Sequence, residues 1–133
     1  MLEGKRNITR ETRPKVGKPK RCSDAIQDIK QSMYIKAYHA ELKREVISHY
    51  SRGRNRCECC GESHIEFLTL DHVNGDGNKH RREIKRASGQ PFYRWLKQNG
   101  FPNDPPLRVL CHNCNTAKGV YGKCPHDIEK QSK

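Results

Sequence analysis

Large apolar side chains are scarce in this chain. Hydrophobic residues make up 32% of its 133 positions and aromatic residues 7%, with a single Trp, and the mean hydropathy is −1.07. So little apolar material excludes a large core. Small domains of this kind commonly rely on a metal or on disulfides. No apolar run approaches the roughly 20 residues of a membrane span, and the N-terminal residues lack a signal-peptide apolar region. The expectation is therefore a cytoplasmic protein with no membrane partner. Internal repeats are absent as well.

Negative charge is the other shortage. Asp and Glu number 15 against 27 Lys and Arg, for a formal charge of +12. An excess of this size points to a polyanionic partner, with nucleic acid the best match. Half of it lies in residues 1–22, where Lys5, Arg6, Arg10, Arg13, Lys15, Lys18, Lys20 and Arg21 face only Glu3 and Glu11. With two prolines, two glycines and almost no large apolar residue, this segment is expected to be a disordered basic arm tracking phosphates. A solubilising tail is the plainer alternative.

Cysteine, in contrast, is plentiful, with seven in the chain. Cys57/Cys60 and Cys111/Cys114 form two Cys-x-x-Cys pairs. That spacing turns two thiolates onto one cation, and two pairs complete a tetrahedral structural Zn²⁺ site. A reducing compartment favours zinc over disulfides. Cys22, Cys59 and Cys124 remain as free thiols, and Cys124-Pro-His126 is left unassigned. The zinc would close the roughly fifty residues between the pairs into one loop. That loop carries Asp71-His72 toward Asn115, which directly follows the last Cys. A carboxylate, an imidazole and an amide oxygen brought together suggest a second, catalytic metal site.

The remaining pattern is readable in outline. Asp24 to Ser51 has helical spacing, with Ile26, Ile29, Met33, Ala37 and Ala40 as one seam and Tyr34, Tyr38 and Leu42 beside it. Phe67 to Leu70 reads as a short strand ending in Asp71-His72, and Asn74-Gly-Asp-Gly-Asn78 as a turn. Lys79 to Ala87 suits a short basic helix, and Pro91 opens another through Phe92, Tyr93, Trp95 and Leu96. Leu107 to Leu110 offers a second strand running into Cys111, and a last helix opens near Asn113. The fold class is α+β. Lys79, Arg81, Arg82, Lys85 and Arg86 form a phosphate clamp or a solvated basic face.

Three stretches together carry a resemblance: Cys57-Glu-Cys-Cys-Gly61, Leu70-Asp-His-Val-Asn-Gly-Asp-Gly77, and Leu107-Arg-Val-Leu-Cys-His-Asn-Cys-Asn115 with Lys118. They resemble the HNH nucleases of the ββα-metal fold, especially the zinc-stapled phage-type members similar to endonuclease VII. The resemblance covers roughly residues 56–126. It implies a metal-dependent DNA endonuclease or nickase in a bacterial host cytoplasm. His72 would be the general base, and Asp71 and Asn115 would hold a catalytic Mg²⁺ or Mn²⁺. From the residues themselves, His80 after the Gly-rich turn would lie near the metal waters or the scissile phosphate, or else be a solvated histidine of the basic helix, and Lys118 would contact phosphate or cap the last helix. Where the family places its middle Asn this chain has Pro106, so the group that orients His72 is open, with Asn103 or a backbone carbonyl as alternatives.

The organisation expected on this basis is a basic arm over 1–22, a basic helix over 23–55, the zinc-stapled ββα-metal domain over 56–126 and a tail over 127–133. A non-catalytic zinc module that binds nucleic acid, or a phage accessory interaction module, would share the Cys pairs and the charge. Neither would need Asp71-His72 beside Asn115. Oligomeric state, a dimer included, is not encoded in any of these features.

Overall fold

The computed structural model describes residues 21–132, so residues 1–20 of the expected arm lie outside the described residues. Arg21 caps and Cys22 opens the first helix, α1 (Cys22–Tyr50). The other helices are α2 (Gly77–Glu83), α3 (Gln90–Gln98), α4 (His112–Tyr121) and α5 (Pro125–Gln131). Strands β1 (Leu68–His72) and β2 (Leu107–Cys111) form a two-stranded antiparallel sheet. The chain is thus a small α+β protein.

The strand register places Leu68 opposite Cys111, Leu70 opposite Val109, Asp71 opposite Arg108 and His72 opposite Leu107. Side chains alternate along a strand. Leu68, Leu70, His72 and Val109 therefore share one face, while Asp71 and Arg108 share the other. Helix α4 packs on both strands, and α1 packs on both strands and on α3. Leu42, Val46, Ile47, Leu68, Leu96 and Val109 are almost fully buried at the centre of this core. Tyr50 at the end of α1 donates its Oη–H to the Pro102 carbonyl at 2.8 Å, fixing the loop that leads into β2.

Helix α1 departs from the expected seam. Ile26, Ile29, Met33 and Tyr34 are exposed, and the buried positions are Leu42, Val46, Ile47 and Tyr50. The reason is length. A helix of 29 residues runs about 43 Å at 1.5 Å per residue, and the small body covers only its C-terminal turns. Its start also differs: Arg21 is the N-cap residue and makes no side-chain capping bond. Helix α3 follows expectation, with Pro91 in its first turn and Phe92, Tyr93 and Leu96 in the core. Helix α4 ends on Gly122 at φ 75°, the left-handed cap that glycine adopts without strain.

Candidate metal centre and histidine site

The two Cys-x-x-Cys pairs meet at one end of the sheet. Cys57 lies in the turn after α1, where its N–H donates to the Glu62 carbonyl at 2.8 Å and Glu58 N–H donates to Val109 O at 3.0 Å. That second bond ties the first pair to β2. Cys111 ends β2 and serves as N-cap of α4, its Sγ accepting from Cys114 N–H at 3.5 Å. The candidate ligand atoms of Cys57, Cys60, Cys111 and Cys114 all lie within 4.8 Å of one another, and Cys60 Sγ is 3.7 Å from Cys111 Sγ. A zinc tetrahedron with bonds of about 2.3 Å has S···S edges of about 3.8 Å. The site fits zinc.

Electrostatics at this site favour a bound cation. Burial pushes the Cys57 thiol up, but backbone N–H groups of Cys60, Cys111 and Cys59 outweigh it and bring it down to about 7. Burial raises the Cys114 and Cys60 thiols. Cys57 is ready to ionise, while Cys60 and Cys114 need a cation to replace their protons.

A second group, not foreseen as a unit, stands beside the first. Cys59, Cys114, Cys124 and His126 also bring one ligand atom each within 4.8 Å of the others. Cys59 and Cys124, expected as isolated thiols, therefore lie together. Of the three expected leftovers only Cys22, exposed on α1, is in neither group. The available signal was the unassigned Cys124-Pro-His126. Proline favours the first turn of a helix, and α5 does begin at Pro125.

Asp71 and His72 are placed differently from each other. Asp71 Oδ2 is 2.9 Å from Arg108 Nε and 2.7 Å from Lys118 Nζ. The Arg108 contact follows from the strand register, and Lys118 reaches over from α4. Asn115, half-buried, lies one helical turn before Lys118 on the same face of α4, yet its side chain has no hydrogen bond among the described residues. Two cations already compensate the Asp71 carboxylate, so the residues as held here do not assemble a divalent-ion site. A Mg²⁺ or Mn²⁺ ion at Asp71 would have to displace at least one of them.

His72 faces the other way, into a buried aromatic nest. Its Nε2 is 2.9 Å from His80 Nδ1, and the Phe92 ring stacks on it at 5.7 Å. His80 is buried too, edge-on to Phe92 and Trp95, so it is not a solvated helix residue. The partner of His72 is His80, not Asn103. Burial first, and then the charge of His80, hold the His72 imidazole below its usual range; Arg81 adds to this, while Asp76 and Asp71 oppose it. His72 is therefore neutral at pH 7. Asp76 Oδ1 is buried without a hydrogen-bond partner, and its negative charge favours a protonated His72.

Gly77 closes this pocket. A Cβ there would lie 2.8 Å from His72 Nδ1 and 3.1 Å from Arg81 Nη1, so only glycine lets imidazole and guanidinium approach the start of α2 this closely. Arg81 Nη2 donates to Asn78 Oδ1 at 2.6 Å. Asn78, Arg81, Arg82 and Arg86 line one open groove along α2. Of the other expected clamp residues, Lys79 turns toward Glu83 at 3.9 Å, and Lys85 adopts a left-handed φ of 54° after the helix.

No protein-family model, curated protein or solved structure matches this chain.

Proposed function

We propose that this protein is a DNA endonuclease or nickase that hydrolyses phosphodiester bonds with His72 as general base. The strands β1 and β2 with α4 would be its ββα unit, into which α2 and α3 are inserted. The observation that carries the reading is a neutral, buried imidazole directly beside an arginine-lined groove. When His72 Nε2–H donates to His80 Nδ1, the lone pair stays on Nδ1, next to Gly77 and Arg81. In that tautomer Nδ1 takes the proton of an attacking water. Asp76, with its unpartnered carboxylate oxygen, then stabilises the imidazolium that forms. Arg81, Arg82 and Arg86 hold the phosphate and offset the charge that builds on it, while the 3′ oxygen leaves and takes a proton from solvent water. A general base of this kind contributes about 10²–10⁴ in rate.

One observation favours a second reading, a zinc-stapled DNA-binding module without cleavage. Asp71 is neutralised by Arg108 and Lys118, which removes the carboxylate that a catalytic ion would use. The two readings separate in one experiment. Supercoiled plasmid is incubated with the zinc-loaded protein in Mg²⁺, in Mn²⁺ and with no added divalent ion, alongside a filter-binding assay on the same DNA. Nicking that requires the added ion supports the enzyme, and Asp71 must then exchange its cations when substrate binds. Nicking that persists without added ion retains His72 and removes the catalytic ion. Binding with no nicking under any condition leaves the binding module.

A further inference from the structure

The cysteines offer more ligands than one zinc ion needs. Cys57, Cys60, Cys111 and Cys114 make one group of four; Cys59, Cys114, Cys124 and His126 make another, with Cys114 common to both. We propose that the protein holds two zinc ions joined by the Cys114 thiolate, the second bound by Cys59, Cys124 and His126. Seven side chains then give each ion four ligands, which is the preferred number for structural zinc.

Geometry supports the second site as well as the first. His126 Nδ1 is 3.3 Å from Cys124 Sγ and 3.5 Å from Cys114 Sγ. With Zn–S of about 2.3 Å and Zn–N of about 2.0 Å, a tetrahedral S···N edge is about 3.5 Å. Three of its ligand residues are withdrawn from bulk solvent: Cys114 and Cys124 are buried and Cys59 is half-buried. The Cys59 thiol donates to Asp127 Oδ1 at 3.6 Å, and zinc would take the place of that proton.

The packing of α5 gives an independent argument. This helix buries none of its own side chains, so apolar contact cannot be what docks it. Its attachments are Cys124 as N-cap, His126 beside the sulfurs, the Asp127 contact, and Lys130 Nζ donating to the Cys59 carbonyl. Every one of them surrounds the second group.

Zinc stoichiometry tests this directly and does not depend on the nuclease reading. Native mass spectrometry of the full chain, purified with zinc, should show two ions per chain. His126→Ala and Cys59→Ser should each show one, with the circular dichroism spectrum of the body retained. Cobalt replacing zinc should give two Co²⁺ whose electron-spin resonance is weakened by coupling through the shared sulfur. One zinc in the wild-type chain overturns the proposal, even if a variant fails to fold. Two zincs in both His126→Ala and Cys59→Ser overturn the ligand assignment. Two uncoupled cobalt ions overturn the bridge.

Discussion

Replacing Cys111 by Ser should unfold the body of this protein, and the structure shows why the effect should exceed that of an ordinary core substitution. Cys111 is 5% exposed, pairs across the sheet with Leu68, caps α4 through its Sγ, and sits 3.7 Å from Cys60 Sγ. One change would therefore remove a zinc ligand and a buried contact between β2 and the turn after α1, while the Ser hydroxyl can still cap α4. Loss of the metal carries the effect, since structural zinc contributes about 10–16 kcal/mol of apparent binding energy against a typical net stability of about 5–15 kcal/mol. Four of the fifteen buried core residues are cysteines of the two Cys-x-x-Cys pairs or of Cys124-Pro-His126, so little apolar contact remains to compensate. The assay pairs zinc content with far-UV circular dichroism and a thermal melt, using Cys22→Ser, outside both groups, as the control. A Cys111→Ser protein that lacks zinc yet melts within a few degrees of wild type would refute the zinc staple.

Gly77→Ala should destabilise by about 1–3 kcal/mol in urea melts and lower nicking, because the new methyl meets His72 Nδ1 at 2.8 Å and Arg81 Nη1 at 3.1 Å. Gly77 has no positive φ, so a backbone penalty is not the cause. His72 titrates lower in the folded chain than in the unfolded one. As pH falls below about 6.5 the unfolded state binds the proton first, and stability drops until the folded value is reached. Urea melts from pH 7.5 to 5 should show that slope flattened in His72→Gln relative to wild type. Deleting residues 1–20, which hold seven Lys/Arg and two Glu, should weaken DNA binding and make its salt dependence shallower by about 0.9 for each phosphate no longer neutralised. An unchanged slope in filter binding returns the arm to a solubilising tail.

The parts of this fold that were legible are those governed by local chemistry. The alternation ending in Asp71-His72, the Leu107 to Leu110 run, Pro91 and the two Cys spacings each depend on a few neighbouring residues, and each element formed where those residues lie. What could not be read depends on tertiary placement. Helical spacing alone does not say how far α1 outruns the body, so the apolar seam it suggests falls on turns that face solvent. The burial of His80 arises because α2 folds back onto Phe92 and Trp95, which nothing in a basic helix pattern foretells. Likewise, the cations on Asp71 come from β2 and α4. Cys59 is adjacent to Cys60 but points at α5, and only the position of α5 turns two leftover thiols and His126 into a ligand set.

The central claim is that His72 handles the proton in phosphodiester cleavage, and its most direct test is a single-turnover nicking rate. Wild type and His72→Ala are compared at saturating plasmid, with zinc content, circular dichroism and DNA affinity measured on the same preparations. The expected result is intact zinc, fold and binding in the variant, with the rate lower by about 10² or more. A His72→Ala protein that nicks at the wild-type rate contradicts it.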